Sequence, residues 1–330
     1  MRILVTGGAG FIGSHVVDEL LARGHEPAVF DDLSSGKRGN VPAGVPLLEG
    51  DLRNAERLAT AFDEARPDAV CHLAAQVSVS RSVREPVFDA EVNVLGSLNV
   101  FLQAARLGVR RVAFASSGGA LYGDVTEPAG EDHPCLPISP YGIGKLTGEQ
   151  YLEFIAREHG LQGVALRFSN VYGPRQDPHG EAGVVAIFAT KMLAGDAVTI
   201  NGDGKYVRDY VEVTDVARAV VEALLVPPLL VPKLQLGNEA ERFTPFNVGT
   251  ASGTDVNELA AAMLPIAESI RRKQGKTEPV PSPTYGPPRA GDLRSSIVSH
   301  DRLTRQLGWN PRKDLVTGLR ETVEWFAAES

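Results

Sequence analysis

Tyr141 and Lys145 stand four residues apart in Tyr141-Gly-Ile-Gly-Lys145, and on a helix that spacing puts both side chains on one face, one turn apart. A free tyrosine has a pKa of about 10, so service as a base near neutral pH requires a shift of roughly 3 units, or about 4 kcal/mol of differential stabilisation. A neighbouring ammonium supplies part of it by favouring the phenolate. Upstream, an apolar run ends in Ala115-Ser116-Ser117, adding hydroxyls to the set. The residues read as proton-transfer machinery; the alternative is a tyrosine and a lysine on the outer face of an amphipathic helix.

A second constellation suits phosphate. The run Ile3–Thr6 leads into Gly7-Gly8-Ala9-Gly10-Phe11-Ile12-Gly13 and then a helical pattern. Glycines at 7, 10 and 13 serve a tight turn, the approach of a pyrophosphate to backbone, and the helix–strand contact, with the phosphates on a helix N-terminus. Asp31 ends the next strand at close to the expected spacing of about 20 residues. There it accepts hydrogen bonds from an adenosine ribose and repels a 2′-phosphate, which favours NAD over NADP. Asp32 is either its helper or a turn residue, and Lys37 and Arg38 offer charge that could neutralise a 2′-phosphate instead.

Positioning these residues requires alternating strands and helices. Strands are expected at Ile3–Thr6, Ala28–Phe30, Ala69–His72, Val112–Ala115 and Val164–Arg167, and helices at Phe11–Ala22, Ala55–Ala65, about Val87–Leu107 and Tyr141–Glu158. The pattern predicts an α/β fold: a doubly wound parallel sheet of Rossmann type over 1–169, carrying the Tyr/Lys helix. Residues 170–330 break into shorter pieces with Pro and Gly between them, including a Pro-rich stretch over Val226–Thr244, and read as a smaller C-terminal α/β substrate lobe with some chain crossing back to the sheet.

At 330 residues and 43% hydrophobic, the chain has enough apolar material for two lobes without cross-links. Its two cysteines, Cys71 and Cys135, form no metal-binding spacing, so no metal is expected and a reducing, cytoplasmic setting is. No apolar stretch approaches the ~18 residues that span a bilayer, and no leader pattern opens the chain. The net charge is −8 with scattered basic residues, so neither membrane nor nucleic acid is an expected partner.

Taken in order, the motifs resemble the extended short-chain dehydrogenase/reductase family, and within it the bacterial UDP-glucose 4-epimerases. The resemblance spans essentially the whole chain: VTGGAGFIGSH, Asp51-Leu52, His72-Leu-Ala-Ala-Gln76, Asn93 in VNVLGSLNV, SSGGALYG, SPYGIGK, RFSNVYGPRQ, VRDYVEVTDVA, FNVGT and PPRAGDL. It implies that Asp51 and Leu52 contact adenine, that Leu73, Ala74, Ala75 and Phe168 line the cofactor, and that Asn93 lies near it. By residue type alone Asp51 is also an ordinary helix cap and Asn93 a buried amide satisfied by backbone. For a UDP-sugar the resemblance implies Gln76 and Asn170 against the substrate, Gly183 and Val184 by the diphosphate, Thr199 and Asn201 near uracil, Arg208 and Arg289 on phosphates, and Asp292 on the nucleoside ribose. An arginine fork suits phosphate oxygens; otherwise Arg208 pairs with Asp209 or Asp215, and Arg289 is a solvated loop charge.

The family usually has Ser or Thr where this chain has Gly118, so Ser117, or else Ser116, is expected to bridge the sugar O4 and Tyr141, the alternative being that Tyr141 takes the O4 proton directly. The implied reaction is NAD-dependent 4-epimerisation of a UDP-sugar by transient oxidation at C4. A 4,6-dehydratase would need an Asp-Glu pair where Gly119-Ala120 stand; conversion of UDP-glucuronate, by epimerisation or decarboxylation, remains an alternative, as does a non-catalytic NAD(H) sensor. Ser296 falls where a tyrosine narrows the sugar pocket in glucose-restricted relatives, which predicts room for an N-acetyl group. The resemblance also implies a homodimer through the helices near Val87–Leu107 and Tyr141–Glu158, with Leu95, Leu98, Leu102, Leu152 and Ile155 divided between the interface and the intrachain core.

Overall fold

The computed structural model describes residues 1–179, 183–226, 242–288 and 292–329. Its main sheet contains β1 (Arg2–Thr6), β2 (Glu26–Asp31), β3 (Leu47–Glu49), β4 (Ala69–His72), β5 (Arg111–Ser117) and β6 (Gln162–Phe168). The substrate-side elements are β7 (Asn170–Tyr172), β8 (Thr199–Asn201), β9 (Val207–Glu212), β11 (Gly253–Asp255), β12 (Thr284–Gly286) and β13 (Ser295–Ser296). Between them β10 (Phe243–Val248) returns to the main sheet, whose order is β10-β6-β5-β4-β1-β2-β3, all parallel. The winding reverses between β1 and β4, and a ligand crevice is expected at the carboxyl ends of those strands.

Alternation along the strands splits the core. Ile3 and Val5 face one layer with Val16, Val17 and Leu20 of the helix Phe11–Ala22 and Val216 and Val220 of the helix Val213–Leu225. Leu4, Val70, Val112 and Phe114 face the other, packed on Leu58, Phe62, Phe101, Leu152 and Ile155. Burying each such side chain contributes about 1.5–3 kcal/mol, which is why the buried strands read as near-continuous apolar runs. A separate core unites the helices Val184–Ala194, Val256–Lys273 and Leu315–Glu329 through Phe188, Met192, Met263, Leu319 and Val323.

The helix that carries Tyr141 and Lys145 runs Pro140–His159. Ser139 caps it, its side chain accepting from Gly142 N; Pro140 takes the first turn, where its missing N–H costs nothing; and Gly160 closes it at φ 75°, a left-handed conformation. The expected long helix over about Val87–Leu107 is present as one continuous helical run, Pro86–Ala90, Glu91–Gly96 and Ser97–Arg106, whose middle segment is π-helical. Leu152 and Ile155 are intrachain core, at 0% and 2% exposure, so they cannot serve an interface, whereas Leu95 and Leu102 lie exposed beside Val87, Ile143 and Phe154.

Candidate active site

The glycine turn is closed against the tip of β4. Gly7 has φ +72°, and a Cβ there would stand 2.7 Å from Ala74 N; the backbone of Leu73 and Ala74, with Ala75 next in the chain, thus comes directly against the turn. Gly13 likewise has no room for a side chain, because its Cβ would run into the Gly7 carbonyl. Phe11 and Ile12 begin the helix between these glycines. Asp31 Oδ2 accepts from Ala9 N at 3.0 Å and Oδ1 from Leu33 N at 2.9 Å, with burial raising its pKa against those two bonds. Each oxygen keeps a lone pair, so the cradle fits a dinucleotide: bare backbone for phosphates and an anchored acid for a ribose diol. Asp32 caps a local turn through Ser34, and Arg38 is paired with Glu49 at 2.7 Å. Asp51 is held well below the usual carboxylate range by the Arg53 guanidinium, while the cap of the following helix is Asn54; Leu52 and Phe168 are buried.

The candidate proton-transfer residues converge at the end of β5. Lys145 is 3% exposed, and its Nζ donates to Ala115 O at 2.9 Å and lies 5.0 Å from the Phe114 ring and 5.8 Å from that of Tyr141. Burial lowers its pKa to about 8, against the raising pull of Asp89 and Glu149. Burial pushes Tyr141 up to about 12, with Asp89 adding to the rise, while a hydrogen bond with Ser117 opposes it. Ser116 points elsewhere, donating to Glu149 Oε1 at 2.5 Å. At Gly118 a Cβ would stand 2.7 Å from Val298 Cγ1 and 3.3 Å from Arg167 O, so a serine has no space there. Of the hydroxyls considered, Ser116 is engaged by Glu149 and Ser117 is the one that acts on the tyrosine's ionisation.

Around this centre, a Cβ on Gly119 would meet Ser296 Oγ at 3.7 Å, Asn170 Oδ1 at 3.9 Å and Ser117 Oγ at 4.0 Å, so these three side chains ring one small space. Strand β9 organises the outer part: Ser296 pairs in register with Arg208, and Asn170 with Tyr210. Arg208 donates to Val207 O and stands 3.9 Å from Asp292, not on Asp209, which is satisfied by Thr250 and Ala251, nor on Asp215, which is taken by Arg218. Gly183 opens the helix Val184–Ala194 and packs on the Gln176 amide. Thr199 and Asn201 lie on β8, against β12. Arg289 lies outside the described residues.

Gln76 and Asn93 are engaged within the protein. Gln76 Nε2 donates to Ser78 O and Asp89 Oδ1, and its Oε1 accepts from Ser78 N. Asn93 accepts from Gln76 N and donates to Gln76 O and Asp89. Residues that sequence reasoning passed over complete the support. Arg167 grips Glu149 with Nε and Nη2 at 3.0 and 2.7 Å and donates to Tyr122, whose hydroxyl donates to Asn247. Glu149 continues the four-residue spacing of Tyr141 and Lys145, a signal visible in the sequence.

Fold and site together define a dinucleotide-binding α/β enzyme. The chain belongs to the NAD dependent epimerase/dehydratase family, whose model matches residues 3–229. It is 44% identical to a UDP-glucose 4-epimerase of Mycolicibacterium smegmatis, with full coverage of both. Among solved structures it is similar to the UDP-glucose 4-epimerase of Thermotoga maritima with UDP-glucose (47% identity, TM-score 0.88, 100% of this chain and 99% of that one). It is equally similar to the Thermus thermophilus UDP-glucose 4-epimerase in complex with NAD (46% identity, TM-score 0.88, all of both chains). Among the described residues no helix is long and apolar enough to cross a membrane.

Proposed function

We propose that the protein interconverts UDP-glucose and UDP-galactose, and their N-acetyl counterparts, by 4-epimerisation. The observation that carries this reading is Tyr141 one helical turn from the buried Lys145, whose Nζ lies 5.8 Å from its ring, next to a space ringed by Ser117, Asn170 and Ser296. The chemistry NAD supplies when bound is reversible hydride exchange with C4 of the sugar. Tyr141 takes the O4 proton and later returns it, with Ser117 bridging hydroxyl and phenolate. Lys145 contributes the ammonium that makes the phenolate accessible, since burial alone drives Tyr141 the wrong way. For both faces of C4 to be presented, the nucleotide must be held and the sugar left loose. Arg208, Arg289 and Asp292, the Gly183–Val184 helix start, and Thr199 with Asn201 are assigned to the nucleotide half, where a helix N-terminus and arginines suit a diphosphate. Gly119 puts no carboxylate beside the reacting centre, which favours epimerisation over dehydration.

The decisive experiment presents UDP-glucose, UDP-N-acetylglucosamine and UDP-glucuronate separately to purified protein and identifies products by NMR, with Tyr141→Phe as control. Galacto products that disappear in the variant are expected, with a loss of about 10²-fold or more while UDP binding persists; unchanged sugars from all three substrates would refute the reading. The exposed apolar residues Val87, Leu95, Leu102, Ile143 and Phe154 are assigned to a homodimer contact, and a monomeric mass by light scattering at micromolar concentration would rule that out. Cys71 and Cys135, both free thiols, suit the reducing cytoplasm.

A further inference from the structure

Asp89 has no role in the account above, yet its carboxylate is 1% exposed and lies against the catalytic helix. A Cβ on Gly144, between Tyr141 and Lys145, would stand 3.5 Å from Asp89 Oδ2. The two side-chain amides that reach it, Gln76 Nε2 at 2.7 Å and Asn93 Nδ2 at 2.9 Å, both donate to Oδ1 and carry no charge. A carboxylate so buried keeps its charge only with a compensating cation nearby, and the cation that acts on it is Lys145.

The other charges around that lysine are already balanced. Glu149, one turn along the same helix, is held by the two-pronged Arg167 pair from β6. His72 of β4 is kept neutral, its pKa lowered to about 3 by burial and then by Lys145, between Thr6 Oγ1 and Ser97 Oγ. Ser117, at the end of β5, carries no charge. From the helix Pro86–Ala90, Asp89 therefore brings the negative charge that Lys145 and Tyr141 both feel unopposed.

We propose that Asp89 is a positioning residue that sets the pH window of the Tyr141/Lys145 pair, its carboxylate holding the proton on Lys145 and restraining ionisation of Tyr141. The proposal rests on the catalytic reading of that pair. Both effects have one sign: the negative charge raises the pKa of the ammonium and of the phenol alike. Removing it lowers both. A unit charge about 10 Å away in an effective dielectric of about 20 shifts a pKa by roughly 1 unit.

Asp89→Asn retains an oxygen to accept from Gln76 and Asn93 and removes only the charge. In the NAD-loaded protein with UDP-glucose, the acid and alkaline limbs of log kcat/KM against pH are expected to move together toward lower pH by roughly 1 unit each. A merely structural role would lower the plateau and leave the limbs in place. A second readout needs no turnover: ultraviolet titration of the Tyr141 phenolate, taken as the difference between each protein and its Tyr141→Phe partner, should show the same downward shift. This separates the failures, since a protein that converts no UDP-sugar still reports the Tyr141 titration. Unmoved limbs with an unmoved phenolate, or limbs that move apart, overturn the proposal. Should Asp89→Asn fail to fold, Asp89→Ser takes its place with the same expected shift; if neither folds, the carboxylate is structural and the proposal is wrong.

Discussion

Lys145 is predicted to be a residue the fold holds at a cost. Its ammonium is 3% exposed and burial lowers its pKa from an ordinary 10.5 to about 8, a depression equivalent to about 3 kcal/mol. The sign follows from linkage. Below pH 8 folded and unfolded chains both carry the proton, and the penalty is fully present; between pH 8 and 10.5 the folded chain releases it first, and the penalty fades. Lys145→Met keeps the length and the contact with Phe114 while removing the charge. It forfeits the hydrogen bond to Ala115 O, worth about 1 kcal/mol, leaving a net stabilisation of about 2 kcal/mol at pH 7. The assay is urea unfolding of protein freed of NAD, so that lost cofactor affinity does not enter, at pH 7 and again near pH 10.5. The variant should have the higher midpoint at pH 7 with an unchanged slope; its advantage should fall by about 3 kcal/mol across the pH range and reverse to a deficit of about 1 kcal/mol, the lost hydrogen bond, and epimerisation should be abolished. Equal or lower stability than wild type at pH 7 would show that the ammonium is not strained by its surroundings, and the argument from burial would fail.

Three further substitutions probe the rest of the site. Asp31→Ala removes the acid anchored by Ala9 and Leu33; it should weaken NAD binding and relax discrimination against NADP, measured by titration with each cofactor, and wild-type preference for NADP would contradict the assignment. Ser296→Tyr fills the space shared with Gly119 and Asn170; competition assays should show UDP-N-acetylglucosamine turnover falling much further than UDP-glucose turnover, and equal losses would move the size filter elsewhere. Gly118→Ser restores the family's usual hydroxyl but drives its Cβ onto Val298; denaturation should show a loss of about 1–3 kcal/mol with no gain in kcat, and a faster, equally stable variant would return the bridging role to position 118.

The parts of the fold that announce themselves in the sequence are those whose period and punctuation agree. The helices Phe11–Ala22 and Ala55–Ala65 and the strand Ala69–His72 have the bounds their patterns give, because a glycine turn, an Asn cap and a short β-rich run mark their ends. The strand β10 was hidden by Pro245, a residue that argues against a central strand. It is tolerated because, among the described residues, β10 is the sheet's edge and pairs only with β6. The π-helical turn over Glu91–Gly96 leaves no mark in a period calculated for 3.6 residues. In the site, Ser117 was favoured over Ser116 by position alone, and what separates them is the Glu149 carboxylate that engages Ser116. Asp89 could not be found from DAEVN because its meaning comes from Lys145, 56 positions away, and long-range pairing of charges has no local signature. Arg167, Tyr122 and Asn247 join across spans of 45 and 125 residues for the same reason.

The return of β10 to the sheet also bears on how this protein could be divided. Among the described residues the chain leaves the main sheet after β6, forms β7 to β9 and comes back to the sheet at β10 before β11 to β13, so no single peptide bond separates the sheet from those strands. A fragment stopped at Ser169 would leave β6 with its outer row of amides and carbonyls uncovered over Gln162–Phe168, six of whose seven residues are buried in the intact protein. A straight, apolar, unpaired margin of that length invites pairing with another copy. Expression of the cofactor-binding half alone should therefore meet insolubility, and a workable minimal version would have to carry Phe243–Val248 along, spliced behind a short linker. Modularity here belongs to the geometry, while the gene encodes one indivisible thread.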